Sequence, residues 1–284
     1  MIFGIVAKPH RTDFAQHLRE VFGWLVDRGC QTLVDAEVVE NYGLKEIPAT
    51  PRQELTRRSD VMVVFGGDGT MLSVVRSIGG LPTPILGVNM GTLGFLTSVK
   101  LEELYPALEK VLNKDYKVDR RGLLKTEVHS SGKPPQVFHA LNDVVINKGA
   151  LARIISMEVS IDGAYVAHFM ADGMIISTTT GSTAYSLSAG GPILFPTLEA
   201  LIVNPICPHT LTNRPFVVPS DSLIQITLKE GDDVRLTVDG QIGVELLPGA
   251  RITCTRSEHD IDLIQPVDKS FFDLLREKLK WAQR

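Results

Sequence analysis

Val61-Met62-Val63-Val64-Phe65 is an unbroken, mostly branched apolar run, and it stops on Gly66-Gly67-Asp68-Gly69-Thr70. A short run of this kind bounded by glycine reads as a buried strand. Three glycines let the backbone turn sharply and come close to a ligand. Apolar spacing from 71 to 78 then predicts a helix. A strand, a glycine loop and a helix start form a place that holds phosphate, because the first helical N–H groups are free. The acid in the middle narrows the chemistry. A carboxylate inside a phosphate-holding loop repels phosphate unless it takes a proton, binds a metal, or faces a hydroxyl about to be phosphorylated. Asp68 therefore points to phosphoryl transfer; the plainer alternative is a turn in which it caps the helix. A dinucleotide fingerprint requires a small residue where Leu72 stands, and a Walker A loop requires Gly-Lys-Ser/Thr, which is absent.

Around this loop the first hundred residues alternate in kind. Strands are predicted at 2–6, 32–34, 61–65 and 84–88, and helices at 14–26, 71–78 and 101–112. The last helix carries Leu101, Leu104, Leu108, Val111 and Leu112 on one face. Alternation of this kind implies a parallel sheet covered by helices, with ligands beyond the carboxyl ends of its strands. After residue 115 the pattern turns strand-rich, at 118–128, 137–146, 154–161, 165–169, 174–177, 223–228, 234–238, 252–255 and 261–264. Asp162-Gly163 is a hairpin signal, and Asp239-Gly240-Gln241 reads as another turn. From 270 the pattern is helical, and Ser270 with Asp273 resembles a capping box. The fold class expected is α/β plus all-β: a doubly wound α/β domain over 1–120, a β-rich, sandwich-like domain over 121–265, and a helix within 266–284.

With 284 residues, 44% hydrophobic and 22% charged, the chain has the composition of a soluble globular protein. A net charge of -4 with no basic tract argues against a nucleic-acid partner. Cys30, Cys207 and Cys254 have no paired spacing, which points to a reducing cytoplasm. The apolar start lacks a basic leader and reads as a strand rather than a signal peptide. The uncharged stretch 173–198 is too rich in Gly, Ser, Thr and Pro for a membrane span, so no membrane partner is expected.

Four further segments can carry chemistry. Asn89-Met90-Gly91-Thr92-Leu93-Gly94-Phe95 forms either an anion-holding nest facing the first loop or a plain turn. Asn142-Asp143, set between apolar residues, is either a strand-edge or bulge pair or a hydrogen-bonding pair for sugar hydroxyls. Asp172-Gly173 leads into the dense polar block 177–188, where Ser182 or Thr183 can cap a short helix whose N–H groups face a ligand. A Ser-Tyr-Lys dehydrogenase site is excluded, since Ala189 stands where lysine belongs. The proline-rigid 204–210 segment reads as a structural loop, and Cys207 with His209 lacks the second pair of a metal site. No protein-held metal is expected.

Together these segments resemble the NAD kinase family. The likeness lies in 66–70, in the second glycine loop 89–97, in Asn142-Asp143, in the block 172–192, in 204–215 and in Asp239-Gly240-Gln241, all in the family's order. The first loop alone is shared with diacylglycerol and sphingosine kinases; the block 180–192 is more specific. Thr179 stands where the family often has proline, and Asp143 where it more often has glutamate. The resemblance implies an N-terminal α/β domain, a C-terminal β-rich domain, a final helix packing on the first, and a homodimer or homotetramer. It further implies an ATP-dependent kinase that phosphorylates the 2′-hydroxyl of the adenosine ribose of NAD. Asp68 is the expected general base. Gly66, Gly67, Gly69 and Thr70 shape the loop for the donor phosphates, which Mg²⁺ bridges because the loop has no lysine. Asn142 and Asp143 are expected on ribose hydroxyls. Thr183, Ala184, Tyr185, Ser186, Leu187 and Ser188 line the dinucleotide pocket, and Asp68, Gly69, Arg153, Asp172 and Gln241 touch NAD by the same carry-over. A lipid kinase of the diacylglycerol type and a non-catalytic NAD(H) sensor are the alternatives.

Overall fold

The computed structural model describes residues 1–9, 14–91, 94–130, 132, 134–150, 153–210, 212–265 and 270–281. The chain divides into two compact units. The first is Met1–Arg120 with Ile261–Arg284, and the second is Arg121–Asp260.

The first unit opens with β1 (Ile2–Ala7), α1 (Ala15–Asp27), β2 (Gln31–Asp35), α2 (Ala36–Asn41), β3 (Ala49–Thr50) and α3 (Arg52–Arg58). It continues with β4 (Val61–Phe65), α4 (Asp68–Ile78), β5 (Ile85–Asn89), β6 (Val99–Lys100), a 3₁₀ turn (Leu101–Glu103) and α5 (Leu104–Leu112). All its strand pairings from β1 to β6 are parallel, in the order β5-β4-β1-β2-β3 with β6 on β5. Every residue of β4 is buried, as expected where helices cover a parallel sheet. The helices supply apolar stripes: Leu18, Val21 and Leu25 from α1, and Leu104, Ala107, Leu108 and Val111 from α5. Phe3, Ile5, Val63, Phe65, Leu86 and Val88 meet such stripes in one core.

From β1 the chain winds one way to β2 and β3, and the other way through β4 and β5. The switch between β1 and β4 leaves a crevice beyond their carboxyl ends, where open α/β sheets bind ligands. The predicted helix 101–112 begins instead with the 3₁₀ turn, and only 104–112 is α-helical. The predicted helix 71–78 gains a turn at its start, because Gly67 is the N-cap and Asp68 its first residue.

The second unit holds most of β7 (Lys117–His129), then β8 (Gln136–Ala140), β9 (Asp143–Lys148), β10 (Ile155–Ile161), β11 (Ala164–Ala171) and β12 (Gly173–Thr178). A 3₁₀ turn (Thr180–Thr183) and α6 (Tyr185–Ser188) follow, then β13 (Ala200–Ile206), β14 (Phe216–Pro219), β15 (Ile224–Glu230), β16 (Val234–Val238), β17 (Ile242–Leu246) and β18 (Arg251–Gln265). One sheet runs β14-β13-β12-β9-β16-β17 and is antiparallel throughout. In the other, β11, β10, β15 and β18 pair antiparallel. Ile146, Met174, Ile176 and Leu236 of the first sheet share one core with Met157, Val159, Ile226 and Ile252 of the second, the layering of a sandwich. Asp162 and Gly163, both at positive φ, turn β10 into β11 as the Asp-Gly pair predicts.

Three sequence expectations are corrected here. The predicted strand 137–146 is two strands broken at Leu141-Asn142. The predicted strands 252–255 and 261–264 are parts of the single β18. The 204–210 segment is not wholly a loop, since Asn204, Pro205 and Ile206 end β13. Proline is tolerated there because β14 pairs with β13 only from Ala200 to Val203, which leaves an edge beyond. The final helix α7 (Phe271–Leu279) carries the capping box: Ser270 Oγ accepts from Asp273 N at 3.2 Å, and Asp273 Oδ2 accepts from Ser270 N at 2.9 Å. Residues 266–269 and 282–284 lie outside the described residues.

Candidate active site

In the first unit the 66–70 loop stands at the switch point. Gly66 N donates to Val88 O (2.9 Å) and Lys8 N to Phe65 O (2.8 Å), so β1, β4 and β5 end together. A Cβ on Gly66 would lie 2.7 Å from Thr70 Cβ, so glycine is what lets Thr70 fold back over the loop. A cleft of about 360 Å³ opens beside it, lined by Lys8, Arg52, Gly67, Gly69, Thr70 and Ser73 among others. Arg52 is held by an ion pair with Asp35, which is almost fully buried and also caps α2 by accepting from Glu37 N at 2.9 Å. Two cationic side chains thus border the loop, although the loop itself has none. Lys8 and Arg52 escaped the sequence reading. The signal for Lys8 was its place two steps past Val6 at the end of the first strand; nothing local marks Arg52.

Asp68 reaches across to the second glycine loop. Its Oδ2 accepts from Phe95 N (3.0 Å) and its Oδ1 from Leu96 N (3.1 Å). The expected anion nest is therefore filled by the protein's own carboxylate. A Cβ on Gly94 would sit 2.8 Å from Asp68 Cγ and from Thr97 Oγ1, so this approach also requires glycine. Thr97 Oγ1 accepts from Gly94 N (3.0 Å) and Asn89 Nδ2 (3.1 Å), which fixes the far side of the loop. Thr92 and Leu93 of the second loop lie outside the described residues. A carboxylate offers about four acceptor positions, and among the described residues two of those on Asp68 are used.

In the second unit Asn142 and Asp143 stand where β8 passes into β9. Asn142 O accepts from Thr178 N (2.9 Å) and Ser177 Oγ (3.2 Å), and Leu141 O from Thr178 Oγ1 (2.6 Å). Gly181 lies against this segment; a Cβ there would be 2.5 Å from the Asn142 carbonyl carbon. Asp143 is only 4% exposed. Burial, helped by the charge of Asp239, pushes its carboxyl up to about 7. Within this unit the 142–143 pair, Ser177, Thr178 and the turn Thr180–Thr183 come together.

The polar block is ordered differently from the expectation. Neither Ser182 nor Thr183 caps α6, whose N-cap is Ala184. Ser182 Oγ instead donates to Thr179 O (2.7 Å) and accepts from Leu194 N (3.1 Å), while Thr183 Oγ1 donates to Thr180 O (3.3 Å). Ser186 is buried against Asn204, whose Nδ2 donates to Ser186 O at 3.0 Å. Ala184 and Leu187 are half-buried, and Tyr185 and Ser188 are exposed. Asp172 pairs with Lys148 at 3.5 Å. Lys148 ends β9 and Asp143 begins it, so five steps of strand, roughly 16 Å, separate Asp172 from the 142–143 pair. Arg153 is exposed ahead of β10, and Gln241 is exposed in the turn from β16 to β17. The structure does not bring Asp172 to Asn142 and Asp143 within the unit. Among the described residues no three His, Cys, Asp or Glu side chains cluster as metal ligands.

The comparisons with known proteins agree with this pattern. Residues 3–116 match the model of the ATP-NAD kinase N-terminal domain, and 141–266 that of the ATP-NAD kinase C-terminal domain. The chain belongs to the ATP-NAD kinase family. Among its relatives, NAD kinase of Geotalea daltonii is 48% identical over 284 residues, covering 100% of this chain and 98% of that one. NAD kinase of Solibacter usitatus is 43% identical over 99% of this chain and 98% of its own length. A crystal structure of yeast NADH kinase complexed with NADH superimposes with a TM-score of 0.92 at 28% identity, covering 100% of this chain and 88% of that one. An NAD kinase from Archaeoglobus fulgidus in complex with ATP gives 0.78 at 27% identity, covering 98% of each chain. The activity that goes with the family is that of an NAD kinase. These matches give no support to the lipid kinase or the non-catalytic sensor. Among the described residues no helix is long and apolar enough to cross a membrane.

Proposed function

We propose that the chain transfers the terminal phosphoryl group of ATP to the 2′-hydroxyl of the adenosine ribose of NAD, with Asp68 as general base. The observation that carries this reading is Asp68 itself, an acid at the mouth of β4, fixed by the second glycine loop and bordered by a cleft whose charged lining is Lys8, Arg52 and Glu37. In the reaction the ribose 2′-oxygen bonds to the γ-phosphorus, and the bond from that phosphorus to the bridging oxygen breaks. ADP leaves, and the hydroxyl proton passes to a free lone pair of Asp68. Phosphoryl transfer depends on alignment and on neutralising phosphate charge. ATP enters as its magnesium complex, so the cation is part of that substrate. Gly66, Gly67, Gly69 and Thr70 shape the loop for the donor phosphates, and Lys8 and Arg52 add positive charge.

Asn142 and Asp143 hold ribose hydroxyls, an assignment supported by side chains that make no hydrogen bond among the described residues. Thr183, Ala184, Tyr185, Ser186, Leu187 and Ser188 border the dinucleotide, with Gly69, Arg153, Asp172 and Gln241 as further contacts. A homodimer or homotetramer in the cytoplasm completes the proposal. The test is incubation with ATP, Mg²⁺ and NAD, followed by an assay with an NADP-specific dehydrogenase. NADP formed in step with ADP is expected; ADP without NADP, or neither, refutes the reading.

A further inference from the structure

We propose that Asp239 is a positioning residue for the dinucleotide ribose, acting through Asn142 and Asp143. The inference rests on the NAD kinase reading above. Three consecutive backbone N–H groups point at one side chain. Asp239 Oδ2 accepts from Leu141 N (3.1 Å), and Oδ1 from Asn142 N (2.8 Å) and Asp143 N (3.2 Å). In return Asp239 N donates to Asp143 O at 2.9 Å. Asp239 is only 6% exposed, and a carboxylate so buried requires donors of this kind. It sits in the left-handed region at φ 49°, followed by Gly240 at φ 63°, so the turn from β16 to β17 is shaped to aim it.

The segment is thereby gripped on both edges. Asp239 takes its N–H groups, while Ser177 and Thr178 donate to its carbonyls. Its backbone can neither rotate nor rejoin the ladder, which is why the strand breaks there. What stays available is the pair of side chains, Asn142 and Asp143. Asp239 also lies beside Asp143 as a second acid. From β12 the residue opposite Asp143 is Ser177, and the 3₁₀ turn beyond it, Thr180–Thr183, carries no charge. Arg121 of β7 reaches that turn at Thr180 Oγ1 (3.2 Å). Asp239 is the charged group that acts on Asp143, adding to burial in holding its carboxyl up at about 7. A ribose hydroxyl donates a stronger hydrogen bond to an ionised Asp143 than to a protonated one, so NAD binding strengthens as pH rises through that value.

The test is a pH series of KM for NAD and of kcat, from pH 5.5 to 9, on the whole protein and on Asp239→Asn. The wild type should show KM for NAD falling with a midpoint near 7. Asp239→Asn should raise KM for NAD about tenfold or more, the ~1.4 kcal/mol of one lost charged contact, with kcat changed less than about threefold, and should move the midpoint to lower pH. A folded variant with wild-type KM and midpoint overturns the proposal. If Asp239→Asn does not fold, Asp239→Glu keeps the charge but shifts it by one methylene, so KM must rise while the midpoint stays. A glutamate variant with wild-type KM, or a wild type whose KM for NAD is flat across the range, also overturns it. A wild type that makes no NADP at all refutes the parent reading instead.

Discussion

Replacing Asp143 with asparagine changes one atom type and removes one proton site, and its effect on stability has a computable pH dependence. In the folded chain burial and the charge of Asp239 hold the Asp143 carboxyl at about 7, against 3.8 for an ordinary aspartate. Between those values the folded state binds a proton that the unfolded chain has released, so stability falls as pH rises through the window. The contribution is complete below about pH 4 and gone above about pH 7. A gap of roughly three pH units corresponds to about 4 kcal/mol at 1.36 kcal/mol per unit. Water reaching the ionised group lowers this toward ~2 kcal/mol. Asp143→Asn carries no such dependence. Between pH 5 and 8 about two of the three units are crossed, so its Tm relative to wild type should climb by roughly 3–11 °C, at about 2–4 °C per kcal/mol. Differential scanning calorimetry at matched ionic strength measures this directly. A Tm difference that stays flat from pH 5 to 8 means that Asp143 is ionised throughout, and the argument from burial fails.

Asp68→Asn should lower kcat by roughly 10²- to 10⁴-fold, the usual contribution of a placed general base, while calorimetry still detects NAD binding; activity within a few-fold of wild type removes Asp68 as the base. Gly94→Ala places a methyl group 2.8 Å from Asp68 Cγ. The Asp68 carboxylate or Thr97 must then shift, at a cost of about 1–3 kcal/mol, and kcat should fall with it; a variant of unchanged kcat separates the second loop from catalysis. Lys8→Ala should raise KM for ATP several-fold with KM for NAD unchanged, and the loss should shrink at high salt as screening grows. Equal changes in both constants place Lys8 away from the donor.

Local pattern made much of this fold legible. Val61–Phe65 reads to the residue because a buried parallel strand shows a continuous apolar run, and α1 and α5 read to within one and three residues because their stripes repeat at helical spacing. What failed depended on contacts distant in sequence. Between 137 and 146 the Asn142-Asp143 pair hints at an irregular strand, but the break itself depends on a carboxylate at 239. Asn204 and Pro205 read as loop because proline argues against a strand, and only the short reach of β14 makes the edge that admits it. At the site, the glycine loop with its acid was visible in the primary structure. Arg52 was not, since it is brought to the cleft by its pairing with Asp35 at the end of β2.

The first unit is built from both ends of the chain. Leu263 registers with Ile85 of β5, Ile264 enters the apolar core, and Ser98 Oγ donates to Ile264 O at 3.2 Å. During synthesis on the ribosome, residues 1–120 emerge first, and β6 pairs with the far end of β5, yet the Ile85 end waits for β18 until the sandwich has been translated. A nascent chain stalled before 261 therefore lacks that pairing and carries a gap in its interior, and a truncation there removes a structural wall of the first unit rather than a dispensable tail.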